Sequence, residues 1–320
     1  MILILTDTNE PTTDWVIDWL HFFRKDFVRL SIETPIIIKS IYDKKGEYEC
    51  VFEYLDIYRQ WMSIDTANIS SYWYRRSDMK TAIKPIRSEN ENINQMINAH
   101  SIDENRSALN ILYSILNRKK RINKIEDGQV TKLKVLQCAK DLGIRVPDTL
   151  ICTDKKTLFP FYEFHNGRVI TKSIGDPTVL FFQNIHCFTS EIDIDDIPDM
   201  FGLSLFQEKI EKFVELRIFY LHGKFYGSAI FSQLDSQTKM DFKNYNDEKP
   251  NRVVPYKLPD IEQHKFRQLM KLNDFNSGSL DIVLTPQYEY VFLEVNPVGQ
   301  FEQVSVPCNY NLLKTIAEYL

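Results

Sequence analysis

The sequence predicts an α/β protein built from two or three structural units. Three observations carry this. The chain has 320 residues, 43% hydrophobic and 26% charged, which is ordinary globular composition with ample apolar material, and more length than one core usually serves. It opens with a buried-strand pattern, Ile2–Leu5, that runs directly into a helical one. Its C-terminal third holds two strand–turn–strand patterns.

Taken in order, Thr12 or Thr13 is positioned to cap a first helix whose apolar residues are Trp15, Val16, Trp19, Leu20 and Phe23. Strands are expected at Ile36–Ile38, Glu49–Leu55 and Ser71–Tyr74. A helix follows from about Glu89 to Asn117, with Leu109, Leu112, Ile115 and Leu116 on one face. Arg118-Lys119-Lys120-Arg121 reads as its basic last turn, which suits the helix dipole. Asn123–Gly128 is the best internal boundary, so the expected division is 1–122, 123–205 and 206–320. Lys132–Leu142 is a helix stopped by Gly143. Asp148–Cys152 and Arg168–Lys172 are strands separated by a helical segment. Phe206–Ile210, Glu215–Leu221 and Lys224–Phe231 are three more, the last two turning at His222-Gly223. Asp260–Leu272 is a helix, Leu280–Leu284 and Tyr288–Glu294 form a hairpin, and Asn311–Leu320 is a final helix.

Composition excludes several function classes. Net charge is −5, from 39 basic and 44 acidic residues, so no basic footprint calls for nucleic acid. No apolar run reaches the length of a membrane span. Cys50, Cys138, Cys152, Cys187 and Cys308 form no CxxC pair and read as reduced thiols in a cytosol. The 10 glycines nowhere spell GxxxxGK[ST] or GxGxxG, which argues against P-loop, protein-kinase and dinucleotide-binding sites.

The chemistry concentrates near the C-terminus. Asp281, Glu294 and Asn296 are polar residues inside strands that otherwise read as buried, and a buried carboxylate needs compensation. Strand alternation puts Glu294 and Asn296 on one face, and a paired strand can bring Asp281 alongside. Two carboxylates and an amide oxygen make a hard, all-oxygen set suited to Mg²⁺; salt-bridged or capping residues at strand ends would read the same way. Lys172, at a strand end, can reach a phosphate or simply face solvent. Glu215 and Arg217 share a strand face, as a ribose and phosphate pair or as a surface ion pair.

The series Lys132, Lys172, Gln207-Glu208-Lys209-Ile210, Glu215-x-Arg217, Asp281 and Glu294-Val295-Asn296-Pro297 resembles the ATP-grasp superfamily of carboxylate–amine and carboxylate–hydroxyl ligases. Ser71-Tyr72-Trp73-Tyr74-Arg75-Arg76 and Leu293–Gln300 look like the graspetide, microviridin-type peptide macrocyclases. The resemblance implies an ATP-grasp fold behind an N-terminal α/β domain, and ATP and Mg²⁺ as cofactors. By position, Lys132 and Lys172 would hold phosphates, Glu208 to Ile210 would line the adenine partly through backbone groups, with Gln207 also in the nucleotide site, and Glu215 would take the ribose. Asp281, Glu294 and Asn296 would hold the metal. Arg217, and more loosely Arg252, would steady the activated carboxyl, while Trp73, Arg75 and Arg76 would meet the peptide. It further implies a precursor peptide as partner and pairing as a homodimer. Two departures stand out: Ser173–Gln183, the phosphate-covering stretch, holds only Gly175, and Ser279 stands where some relatives carry arginine. A ligase adding one amino acid, or a non-catalytic binding module, would use the same cradle.

Overall fold

The computed structural model describes residues 1–85, 87–175, 189–233, 248 and 250–320. The phosphate-covering stretch lies largely outside them, as does Cys187; the four described cysteines are free. The chain forms two compact units, residues 1–129 with 311–320, and residues 130–310.

The first unit begins with β1 (Ile2–Thr6), α1 (Pro11–Phe22) and β2 (Phe27–Leu30). A meander follows: β3 (Pro35–Lys44), β4 (Glu47–Leu55) and β5 (Trp61–Asp65). Then come β6 (Ser71–Arg75), β7 (Lys80–Thr81), α2 (Glu91–Asn117) and β8 (Lys120–Ile122). One sheet is all parallel, ordered β2-β1-β6-β8. Its inner strands β1 and β6 are buried along their whole length, as continuous apolar strands covered on both faces must be. The second sheet is ordered β5-β4-β3-β7.

Two local expectations are corrected here. Glu10, not a threonine, caps α1: its Oε2 accepts from Thr13 N (2.7 Å) and Thr13 Oγ1 (2.6 Å). This frees Thr12 and Thr13 to join the buried face with Val16 and Leu20, while Trp15 turns outward. The basic run is not a last helical turn either. Helix α2 stops at Asn117, and Lys120 and Arg121 pair with Ser71 and Tyr72 as strand β8; the pairing that extends the parallel sheet outweighs the small dipole gain.

The second unit comprises α3 (Lys132–Asp141), β9 (Thr149–Asp154), α4 (Lys155–Phe164), β10 (Val169–Lys172), β11 (Ser190–Glu191) and β12 (Met200–Glu208). These are followed by β13 (Val214–Leu221), β14 (Lys224–Phe231), β15 (Arg252–Tyr256), α5 (Asp260–Leu272), β16 (Ser277–Leu284), β17 (Tyr290–Asn296) and α6 (Glu302–Cys308). Gly143, at φ +68°, ends α3 as expected. The last helix, α7 (Leu312–Tyr319), belongs to the first unit.

Two antiparallel sheets organise the second unit, ordered β11-β10-β12-β9 and β15-β14-β13-β16-β17. The five-stranded sheet has one greasy face. Leu216, Ile218, Leu280, Ile282 and Phe292 pack there against Val135, Leu136 and Ala139 of α3 and Phe266, Leu269 and Met270 of α5. Because side chains alternate along a strand, burying this set sends the residues between them to the opposite face.

Candidate functional site

That opposite face carries a row of charge across three strands. Arg217 on β13 is paired in register with Asp281 on β16, and Asp281 with Glu294 on β17. Directly opposed residues on antiparallel strands share a face, with Cβ atoms about 5 Å apart. Arg217 forms an ion pair with Asp281 in which both side chains are buried. Lys132, in the first turn of α3, places its Nζ 3.3 Å from Glu294 Oε2. The row therefore reads plus, minus, minus, plus.

Two carboxylates facing each other across strands repel, and a lysine in the first turn of a helix opposes the dipole. Neither choice favours stability. Together they bring hard oxygen donors and cations to one place, an arrangement that core packing does not call for.

A β-bulge makes the row possible. The register shifts between Asp281 and Ile282: Asp281 pairs with Glu294, but Ile282 pairs with Phe292, leaving Leu293 as the extra residue. Without it, the alternation that sends Phe292 into the core would send Glu294 there too. The extra residue resets the phase, so that Glu294 and Asn296 face the site while Val295 takes the core position. Leu293 itself packs with Ile210, Val283 and Val291 as an apolar patch beside the acids.

Other predicted residues fall around this row. Glu215 lies two residues before Arg217 on the same face, but Arg217 does not pair with it. Its Oε1 accepts from Ser232 Oγ at 2.8 Å and lies 3.2 Å from Lys212 Nζ. Asn296 is half-buried at the end of β17, and its amide makes no hydrogen bond among the described residues. Arg217 Nε is buried without a hydrogen-bond partner. A buried guanidinium donor and a strand-end amide left unused are what an incoming oxygen-rich ligand would satisfy.

On the four-stranded sheet, Val169, Phe206 and Cys152 pack under Leu158 of α4. Register puts Lys172, Ile170 and Gln207 on the other face. Gln207 is buried and donates Nε2 to Thr149 Oγ1 at 2.8 Å, and Ile210 joins the apolar patch on the site sheet.

The side chains at four expected places lie away from this row. Glu208, paired in register with Val169, lies on the helix-bearing face. There it meets Arg145 Nη2 at 3.3 Å and lines a cleft of about 470 Å³ with Phe164, His165, Asn166 and Arg168. Its neighbour Lys209 pairs with Glu191, so these two side chains do not join Gln207. Arg252 opens edge strand β15 opposite Phe231, with its guanidinium 5.7 Å from that ring. Its alternation with Val254, which packs on the core, assigns it to the core side of the sheet, away from Arg217. Finally, Trp73 and Arg75 are buried in the first unit, 1% and 2% exposed. Arg75 holds Glu10 at 3.1 Å; of that motif's three candidates only Arg76 is exposed, at φ +68°.

Sequence reasoning missed the bulge at Leu293, the direct Arg217–Asp281 pair and the roles of Lys212 and Ser232. Only the bulge left a signal: strict alternation from Val291 cannot place Phe292 inside and Glu294 outside. Among the described residues no three His, Cys, Asp or Glu side chains cluster to hold a metal; the set here is two carboxylates and an amide.

No family model matches the sequence, and no curated protein does. Solved structures do resemble it. The macrocyclase MdnC from Microcystis aeruginosa, bound with precursor peptide MdnA, is similar at TM-score 0.74 and 24% identity, over 100% of this chain and 99% of that one. A RiPP-associated ATP-grasp ligase from Chryseobacterium gregarium, in complex with ADP and a leader and core peptide, is similar at TM-score 0.76 and 22% identity, over 100% and 96%. A RimK-domain ATP-grasp protein from Sphaerobacter thermophilus is similar at TM-score 0.55 and 12% identity, over 100% and 98%. The architecture that carries the charged row is therefore the ATP-grasp fold.

Proposed function

We propose that this chain is an ATP-dependent macrocyclase acting on a ribosomally made precursor peptide. It would join Asp or Glu side chains of the peptide to Ser or Thr hydroxyls or Lys amines as ω-esters or ω-amides. The observation that carries the reading is the charged row Arg217, Asp281, Glu294, Lys132 at one sheet face. The likeness to structures described as holding precursor, leader or core peptides and ADP supports it.

The donor set fits the metal. Asp281, Glu294 and Asn296 offer oxygen only, as Mg²⁺ prefers, and the Asn296 amide has no competing partner among the described residues. ATP with Mg²⁺ supplies the phosphoryl group that converts a peptide carboxylate into an acyl phosphate, giving a poor electrophile a leaving group. Lys132 and Lys172 bind phosphate oxygens as point charges. Glu208 to Ile210 line the base, partly through backbone groups, with Gln207 alongside and the apolar patch of Ile210, Val283, Val291 and Leu293 next to them. Glu215, steadied by Lys212 and Ser232, accepts from ribose hydroxyls. Arg217 has a buried Nε still to satisfy; it orients the carboxyl oxygens and offsets their developing charge. Arg76 is the remaining candidate of its motif for peptide contact. The protein is further proposed to work in the cytoplasm as a homodimer, with no role for nucleic acid or membrane; among the described residues no helix is long and apolar enough to cross one.

Intact-mass spectrometry of a precursor peptide with this protein, ATP and Mg²⁺ tests the reading. Loss of one water per ring is expected. Gain of one amino-acid residue would replace it with a linear ligase, and an unchanged peptide despite ATP binding would point to a non-catalytic module.

A further inference from the structure

The turn that leaves β17 is fastened to β16 more tightly than a connecting loop requires. Ser279, fully buried, is paired in register with Asn296. Its Oγ donates to the carbonyl of Gln300 at 2.8 Å. Gly299 N donates to the carbonyl of Asn296 at 3.0 Å, closing the turn over Ser279. A Cβ at Gly299 would stand 2.7 Å from Ser279 Cβ, 2.8 Å from Ser279 Oγ and 2.8 Å from Asn296 O. Only glycine permits this approach. From the other side, a Cβ at Gly278 would come within 3.0 Å of Pro297 Cα and 3.2 Å of Asn296 O. Beyond the turn, Phe301 is buried with its ring 5.2 Å from that of Phe219, the residue that Ser279 pairs with on β13.

Asn296 is the last residue of its strand, where pairing ends and backbones ordinarily fray. Its amide has no hydrogen bond among the described residues to hold it, so only the backbone fixes where that amide points. We infer that Ser279 and Gly299 form a latch that positions the Asn296 amide beside Asp281 and Glu294. They are positioning residues: the Ser279 hydroxyl is already committed to Gln300, and Gly299 has no side chain. The inference rests on the reading that Asp281, Glu294 and Asn296 hold the metal that accompanies the nucleotide.

The test is direct binding of Mn²⁺ to the full chain in the presence of a non-hydrolysable ATP analogue, read from the electron paramagnetic resonance of free Mn²⁺. Asn296→Ala, Ser279→Ala and the double substitution are compared, with thermal midpoints measured alongside. Ser279→Ala is expected to weaken Mn²⁺ by roughly 10- to 100-fold, the usual effect of losing a group that orients a metal ligand, while the protein stays folded. The double variant is expected to bind no more weakly than Asn296→Ala, because residues acting through one another are not additive. Gly299→Ala should weaken binding at least as much as Ser279→Ala. Unchanged Mn²⁺ affinity in Ser279→Ala, or losses that simply add, would overturn the latch while leaving the metal reading standing. Unchanged affinity in Asn296→Ala would overturn the metal reading and the latch together.

Discussion

Lys132 and Lys172 differ in what they touch, although both are proposed to meet phosphate. Lys132 rests on Glu294 in this structure and contributes to holding the two acids of the row apart from mutual repulsion. Lys172 ends a strand on the face it shares with Ile170 and Gln207, opposite the face packed under α4. Replacing Lys172 by alanine should therefore leave the fold intact and weaken ATP. Loss of a charge-assisted contact costs about 1.5–3 kcal/mol, roughly 10- to 150-fold in affinity. Isothermal titration with ATP and Mg²⁺ checks this, and an unchanged affinity would remove Lys172 from the site. The residue scale is also where sequence reading was least complete. Arg217 and Glu215 are two apart and share a face, which leaves a mutual ion pair and two separate ligand roles equally open in the sequence. The register across strands gives Arg217 to Asp281 instead, a choice made by residues 64 positions apart. Trp73 and Arg75 show the same limit: an aromatic-basic motif reads as a binding surface until a parallel sheet covers it.

At the scale of elements, the most consequential feature is one residue long. The bulge takes Leu293 out of the alternation, so that Glu294 and Asn296 face the site while Phe292 and Val295 stay in the core. Deleting Leu293 removes the surplus and leaves Phe292, Glu294, Val295 and Asn296 in plain alternation, core then site, with every pairing to β16 kept. The deletion is therefore expected to keep the fold and ring formation, with a modest fall in the urea midpoint from the lost Leu293 packing; an unfolded or inactive deletion variant would show that the bulge does more than absorb one residue. Substituting Leu293 by valine, which keeps the bulge, is expected to retain both. Most elements were legible beforehand because they depend on local signals. Helix α3 with Gly143, the hairpin β13–β14 and strands β16 and β17 all follow from periodicity and turn residues. Strands β2, β5, β7, β8, β11 and β15 were not legible, because a short edge strand is defined by the partner it finds rather than by its own pattern.

Across the whole molecule, the chain's end returns to its beginning. Helix α7 buries Leu312, Ile316 and Ala317. Lys25 Nζ donates to the carbonyls of Ala317 and Glu318, both at 2.9 Å. Ser71 Oγ donates to the carbonyl of Leu320 at 2.7 Å. The same unit contains an ion pair that acid weakens. Burial alone would raise the pKa of Glu10, but the charge of Arg75 and the hydrogen bonds from Thr13 and Arg75 outweigh it and hold the carboxyl below its ordinary value of 4.5. A carboxyl whose folded value is depressed adds stability that is complete above 4.5 and is lost as pH falls through the lower folded value. Glu10→Gln is therefore expected to destabilise the protein at neutral pH, with the difference from the unaltered chain shrinking as the solution is acidified below the carboxylate range. Urea unfolding at several pH values checks this. A difference that stays constant with pH would mean that Glu10 contributes only as the helix cap.

The overall architecture was legible through the family that a few polar residues in apolar strands resemble, whereas the face each one occupies depended on register and on the bulge. The central claim concerns that face: that Asp281 and Glu294 are chemical groups and not structural ion pairs. The measurement that tests it most directly is ring formation on a precursor peptide by Asp281→Asn and Glu294→Gln, with circular dichroism and thermal midpoints recorded for the same samples. Each substitution keeps an oxygen to accept from Arg217 or Lys132 while removing the charge. The prediction is folded protein with ring formation abolished in both. Folded variants that still close rings at the unaltered rate would contradict it, and would return the row Arg217, Asp281, Glu294, Lys132 to the status of a buried salt-bridge network.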